Sequence, residues 1–256
     1  MKKVAFTLIA LSIATVFTAC KNESSEPETL QKTKDLAVAD TTPTTETDFL
    51  YVTAPSGLTL REFNNLNSEK LAVMPYGTKL KILKNEQNAT MTVGGIAGGM
   101  NEVEYNNKTG YAFNGFLSKF FPPEKDTNAK AYIADLKNTF PKASFTESVG
   151  GTASKPTNTE TVLLPTTQWH EAFYIAQKLY DLPMAFNFPN PKGKNAETIK
   201  NSKKPEQILV SELAILREEN QLQKITFSQA AEDFGSSVTI SKDGDFMKIA
   251  YTAVVD

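Results

Sequence analysis

The chain has 256 residues, 40% hydrophobic and 22% charged, which is the composition of an ordinary globular protein with ample material for one large core or two small ones. Its formal net charge of −2 argues against the basic face of a nucleic-acid binder. One cysteine and one histidine exclude an intramolecular disulfide and a Cys/His metal cluster, and no metal or cofactor is expected.

Lys2-Lys3, the apolar run Val4 to Phe17 and the small pair Thr18-Ala19 before Cys20 form the three parts of a secretory signal over residues 1–19. The run is about 14 residues, short of the ~20 that a membrane-crossing helix needs. Thr18-Ala19-Cys20 resembles a lipobox, with Phe17 in place of the usual Leu. The resemblance implies cleavage before Cys20, diacylation of its thiol and an acylated N-terminus (palmitate or a similar chain). Several acyl chains hold a protein at a membrane stably, at about 0.8 kcal/mol per buried methylene. The alternative is an ordinary secreted protein with a spare or buried thiol. Residues 21–48 carry three lysines against seven acids and few large apolar residues. Such a segment cannot offset the entropy of ordering, so an extended tether is expected over 20–48.

From Phe49 to Phe121 the pattern changes to short alternating runs separated by turn residues. Gly57-Leu58-Thr59-Leu60-Arg61 precedes a polar loop, Glu62 to Lys70. Leu71 to Thr78 passes through Pro75-Tyr76-Gly77, and Lys79 to Leu83 alternates as a half-buried strand. Glu102 to Tyr105 turns at Asn106-Asn107 into Lys108-Thr109-Gly110-Tyr111-Ala112, and Asn114-Gly115-Phe116-Leu117 follows. The order and spacing of these motifs resemble a bacterial SH3-like domain over residues 49–123, which implies a small all-β barrel used for binding. In such barrels the groove lies between the loop after the first strand and the loop joining the middle strands. That places Tyr76, Met100 and Tyr111 on an apolar floor, with Arg61 and Glu62 on its polar edge; the alternative is that these aromatics are barrel core. Met100 stands where the family usually carries a groove-lining Trp. The loop Gly94 to Gly99 is longer than usual and lacks the flanking residues of a phosphate cradle, so a flexible hairpin loop is expected.

Pro122-Pro123 ends the barrel. An α+β domain of unknown function is expected over 124–256, with two helices packed on an antiparallel meander. Ala129 to Phe140 reads as a helix with Ala131, Ile133, Leu136 and Phe140 apolar, and Gly150 to Asn158 as a Gly/Thr/Ser/Pro loop. A second helix follows Pro165, with Thr167 as N-cap and Glu171 in its first turn. Its stripe of Trp169, Ala172, Phe173, Ala176, Leu179 and Tyr180 is core-facing. Phe186 to Pro205, with five lysines, reads as an irregular solvated loop. Four alternating runs close the chain: Ile208 to Leu216, Leu222 to Ser228, Ser237 to Ile240 and Phe246 to Val254. Asp243-Gly244 marks a tight hairpin between the last two.

His170 is the only available imidazole, and Cys20, once lipidated, is lost as a nucleophile. No catalytic residue is therefore assigned. Two functions stay open. One is a non-catalytic lipoprotein of the cell envelope, anchored through Cys20 in the outer membrane of a Gram-negative bacterium, facing the periplasm or the surface. It would bind peptidoglycan or an envelope protein through its SH3-like domain. The other is a cell-envelope hydrolase with its site in the C-terminal domain.

Overall fold

The computed structural model describes residues 48–254, all within one compact unit, Thr45–Asp256. The predicted signal, Cys20 and the tether lie outside the described residues. The architecture is mostly β: two large antiparallel sheets, one small hairpin and two α-helices.

The first sheet is built from β1 (Phe49–Val52), β2 (Leu58–Arg61), β3 (Lys70–Met74) and β4 (Lys79–Lys84). A separate hairpin follows, β5 (Met91–Val93) and β6 (Ile96–Gly98), and then β7 (Met100–Tyr105), β8 (Lys108–Phe113) and the short β9 (Leu117–Ser118). The hydrogen-bonded order is β3-β2-β8-β7-β4-β1-β9. Its end strands β3 and β9 are not paired with each other, so hydrogen bonding leaves the sheet open where a closed barrel was expected. Alternation sets the buried face: Leu58 and Leu60 of β2, Leu80 of β4 and Val103 of β7 are all buried. Asn106 and Asn107, at φ 48° and 59°, make the tight turn between β7 and β8. Gly94 to Gly99 is not a free loop. Gly94 and Gly95 form the two-residue turn between β5 and β6 at positive φ, and Ile96 is buried beside Gly115.

After Pro122-Pro123 come α1 (Ala129–Leu136), β10 (Ser144–Thr152), β11 (Lys155–Leu164), α2 (Trp169–Leu179), β12 (Ala196–Lys200), β13 (Val210–Glu218), β14 (Gln221–Ala230), β15 (Gly235–Asp243) and β16 (Phe246–Val254). The second sheet runs β10-β11-β16-β15-β14-β13-β12. The predicted meander is its centre, β13 to β16, and Asp243 pairs with Phe246 around Gly244 at φ +59°. Both flanks differ from expectation. Gly150 to Asn158 is the end of the β10–β11 hairpin, because Thr residues favour a pleated strand as much as a loop and Gly151, at φ +81°, accommodates the tip. The lysine-rich stretch holds β12, paired along its length with β13.

Helix α1 is shorter than predicted: Ile133 and Leu136 are buried as expected, Ala129 and Tyr132 join them, Ala131 is exposed instead, and Phe140 packs edge-on against Phe120 from beyond the helix end. Asn128 caps it, accepting from the Ala131 N–H at 2.8 Å. In α2 the N-cap is Gln168 with no side-chain bond, not Thr167. Thr166 takes over, accepting from the Gln168 N–H at 3.1 Å and donating to Glu171. The α2 stripe is core as expected: Ala172, Phe173 and Ala176 are buried, with Trp169, Leu179 and Tyr180 packed against the core.

The buried residues on both sides of Pro122-Pro123 form one continuous cluster. Phe116 meets Tyr174 with ring centroids 6.1 Å apart, and the Ser118 hydroxyl donates to Glu171 at 2.5 Å.

Candidate functional site

A concavity of about 900 Å³ opens where the end of the first sheet meets α1 and the C-terminal end of α2. Three rings in its wall form a chain. Tyr51 of β1 meets Phe121 at 6.4 Å between centroids, and Phe121 meets Tyr132 of α1 at 5.4 Å, both edge-to-face. The Tyr132 hydroxyl donates to the Phe121 carbonyl at 3.0 Å, so α1 is tied to the strand end it follows. Tyr76 faces the same space from the turn before β4, and the Lys178 ammonium lies 4.8 Å from its ring centroid. Glu124, Asp126, Asp135 and Asp181 line the cleft with Lys125 and Lys178, a four-to-two excess of acid over base. Asp126 and Asp181 both sit at positive φ, 64° and 50°, in the turns that bring them there.

Burial holds the Tyr76 and Tyr132 hydroxyls well above the ordinary phenol range, and for Tyr132 the neighbouring Tyr76 and Glu171 add to it. Both are neutral at physiological pH. Tyr132 is buried and backs the wall, while the partly exposed rings of Tyr51, Tyr76 and Phe121 and the surrounding carboxylates can stack a flat or ring-shaped ligand and accept from its N–H and O–H groups.

The predicted groove residues do not converge here. Of the five, only Tyr76 lines the cleft. Arg61 pairs in register with Tyr111 across β2 and β8, and its guanidinium donates to the Ser68 carbonyl at 2.8 Å, inside its own loop. Glu62 beside it is exposed. Met100 is only 6% exposed, pairs with Phe113 and belongs to the core. Tyr111 is half-buried against that core. Tyr51, Phe121, Tyr132 and Lys178 carry no motif that marks them in the sequence. Tyr51, Phe121 and Lys178 lie at or near element ends and Tyr132 in the middle of α1, so no shared local pattern marks them.

Behind the cleft, Ser118, Thr166 and Glu171 form a buried polar knot. Glu171 is 8% exposed and accepts from both hydroxyls at 2.5 Å, while Ser118 accepts from the Phe120 N–H at 3.0 Å. Burial raises the Glu171 pKa; the two hydroxyls and Lys119 pull the other way and are outweighed. With both carboxyl oxygens occupied, this group joins β9, the segment after β11, and α2. His170 packs edge-on against Phe188 at 6.1 Å, and burial lowers its pKa to about 4. It is a neutral structural imidazole. Among the described residues no group of three or more His, Cys, Asp and Glu is placed to hold a metal ion, and no helix is long and apolar enough to cross a membrane.

No protein-family model matches the chain, and comparison with curated proteins and with solved structures gave no match either.

Proposed function

We propose that the protein is a non-catalytic, membrane-anchored lipoprotein of the Gram-negative cell envelope, held in the outer membrane through acylated Cys20, and that it binds peptidoglycan in the cleft between the first sheet and α1. The carrying observation is the partly exposed rings of Tyr51, Tyr76 and Phe121, backed by buried Tyr132, in a cleft lined by four carboxylates. A glycan strand with its peptide stem offers what such a site takes: sugar faces to stack on rings, and hydroxyl, amide and amino groups to donate to carboxylates. The strand order of the first sheet supports the SH3-like reading, since β1 lies between β9 and β4 and the long β2–β3 excursion closes onto β8. On this reading the SH3-like module contributes Tyr51 and Tyr76, and the C-terminal part completes the site with Asp135 and Lys178, Tyr132 supporting Phe121 from behind.

The test is co-sedimentation of the full chain, carrying Cys20→Ser to keep it in solution, with isolated peptidoglycan. Binding weakened about tenfold or more by Tyr76→Ala is expected, the loss typical of a buried aromatic anchor. Binding unchanged by Tyr76→Ala overturns the site, and release of soluble fragments during the incubation overturns the non-catalytic reading in favour of a hydrolase.

A further inference from the structure

The second sheet has two free edges, and they are chemically unlike. Edge strand β10 carries no lysine within Ser144–Thr152 and a single acid, Glu147. The opposite edge, β12 with its flanks, carries Lys192, Lys194, Lys200, Lys203 and Lys204 within 13 residues. Residues 49–256 balance their charges as a whole, with 22 basic residues, these five lysines included, and 22 acidic ones. Lysine is one of several devices that blunt a free strand edge against pairing, and here it is concentrated on one edge alone.

The segment that carries them is fixed. Arg217, 3% exposed, donates to the carbonyls of Asn190 and Lys194, both at 2.9 Å, and its backbone N–H donates to the Asn195 carbonyl at 2.6 Å. At the far end the Asn201 N–H donates to the Ser211 carbonyl at 2.9 Å, and the Asn201 side chain accepts from the Lys203 N–H at 3.0 Å. Between these pins runs β12, five residues or about 16 Å of extended chain. Among the described residues none of the five lysines makes an ion pair. Lys204 is spent locally, donating to the Ile208 carbonyl, and the other four are at least partly exposed. Of the nearby carboxylates, Glu197 is paired with Arg217 at 2.9 Å and Glu212 stands in register opposite Lys200, with Glu206, Glu218 and Glu219 in the neighbouring segments. Beside the lysines Ile199, Leu209 and Val210 are 39%, 60% and 37% exposed.

We infer that the β12 edge is a docking surface for an anionic lipid bilayer, its lysines set against headgroup phosphates and its exposed aliphatics against the boundary below them. Charge complementarity supports this occupant: several lysines on a rigid strip with aliphatic neighbours match a continuous negative surface, and each lysine near such a surface contributes roughly a fivefold gain in partition. For a chain tethered by its N-terminus, this second contact would lay the folded part against its own membrane and so set the direction in which the cleft faces.

The test uses the full chain with Cys20→Ser and sedimentation with two kinds of vesicle: phosphatidylethanolamine with about 30% phosphatidylglycerol, and phosphatidylcholine alone. Binding to the first and not the second is expected, weakening steeply between ~50 and ~300 mM salt. Replacing Lys192, Lys194, Lys200 and Lys203 by Gln, and sparing Lys204, should weaken partition by roughly several hundredfold. Should that variant fail to melt cooperatively, the salt series on the unsubstituted chain decides the same question. Equal binding to both vesicles, salt-independent binding, no binding, or retention on an acidic polypeptide without retention on anionic vesicles each overturns the inference. None of these outcomes depends on whether the cleft binds peptidoglycan.

Discussion

Glu171→Gln and Glu171→Ala separate what the buried knot does by shape from what it does by charge. In the native chain the carboxyl accepts from Ser118 and Thr166 at 2.5 Å each, and each hydroxyl also accepts a backbone N–H. Truncation to Ala orphans two buried hydroxyl donors and leaves a void, so a loss of about 3–4 kcal/mol is expected near pH 4, shrinking at higher pH as the native carboxyl loses its own contribution. Gln is different. It keeps the volume and one acceptor oxygen, and it is neutral, as the protonated acid is. Burial raises the folded pKa above the ordinary 4.5, so the folded state binds the proton more tightly than the unfolded one. The stability that this group contributes is therefore complete below about pH 4.5 and lost as pH rises through the folded pKa. Relative to the native chain, Glu171→Gln should lie within about 1 kcal/mol at pH 4. It should then gain up to about 1.4 kcal/mol per pH unit until the folded carboxyl ionises. The assay is urea unfolding followed by circular dichroism at several pH values from 4 to 8, reading the difference between the two chains, from which titrations common to both cancel. A native advantage that grows with pH would refute the reasoning, because it would mean that the hydroxyls and Lys119 outweigh desolvation.

His170 should titrate with an NMR midpoint near 4, and since its neutral form is favoured by folding, its contribution to stability is lost as pH falls from 6.5 toward 4; a midpoint near 6.5 would place the ring in solvent. Gly110→Ala should cost about 1–3 kcal/mol in denaturant unfolding, because a Cβ there would sit 2.6 Å from the Arg61 carbonyl oxygen and 3.0 Å from Leu60. Arg217→Met should leave the sheet centre intact but speed amide exchange across residues 190–200, since that segment is held to β13 by its guanidinium; unchanged protection there would show that β12 pairing alone suffices.

Where local chemistry decides the structure, the chain is readable. Asn106-Asn107 and Asp243-Gly244 mark turns whose positive φ few other residues tolerate, and the alternation of β13 to β16 follows from one buried and one solvated face. The β10–β11 hairpin is not readable, because Ser, Thr and Gly are as common in loops as on the exposed face of a strand. Nor is β12, where lysines mask a strand that owes its existence to pairing with β13 and to a pin from Arg217, about 20 residues away in sequence. The cleft escapes for the same reason on a larger scale. Tyr51, Tyr76, Phe121, Tyr132 and Lys178 span more than 120 residues, and only the docking of α1 and α2 against the first sheet brings them together. Glu171 is legible as a first-turn acid, but its partner Ser118 lies 53 residues earlier, beyond any local pattern.

The most direct measurement of the central claim is amide NMR of the isotopically labelled Cys20→Ser chain during titration with soluble peptidoglycan fragments. The account predicts saturable shifts at Tyr51, at Tyr76-Gly77, across Phe121 to Asn128 and around Lys178, the backbone that surrounds the cleft. Shifts confined to Arg61 to Lys70 and Gly94 to Met100, the groove expected from the SH3-like resemblance, would contradict it, as would a spectrum that does not move at all.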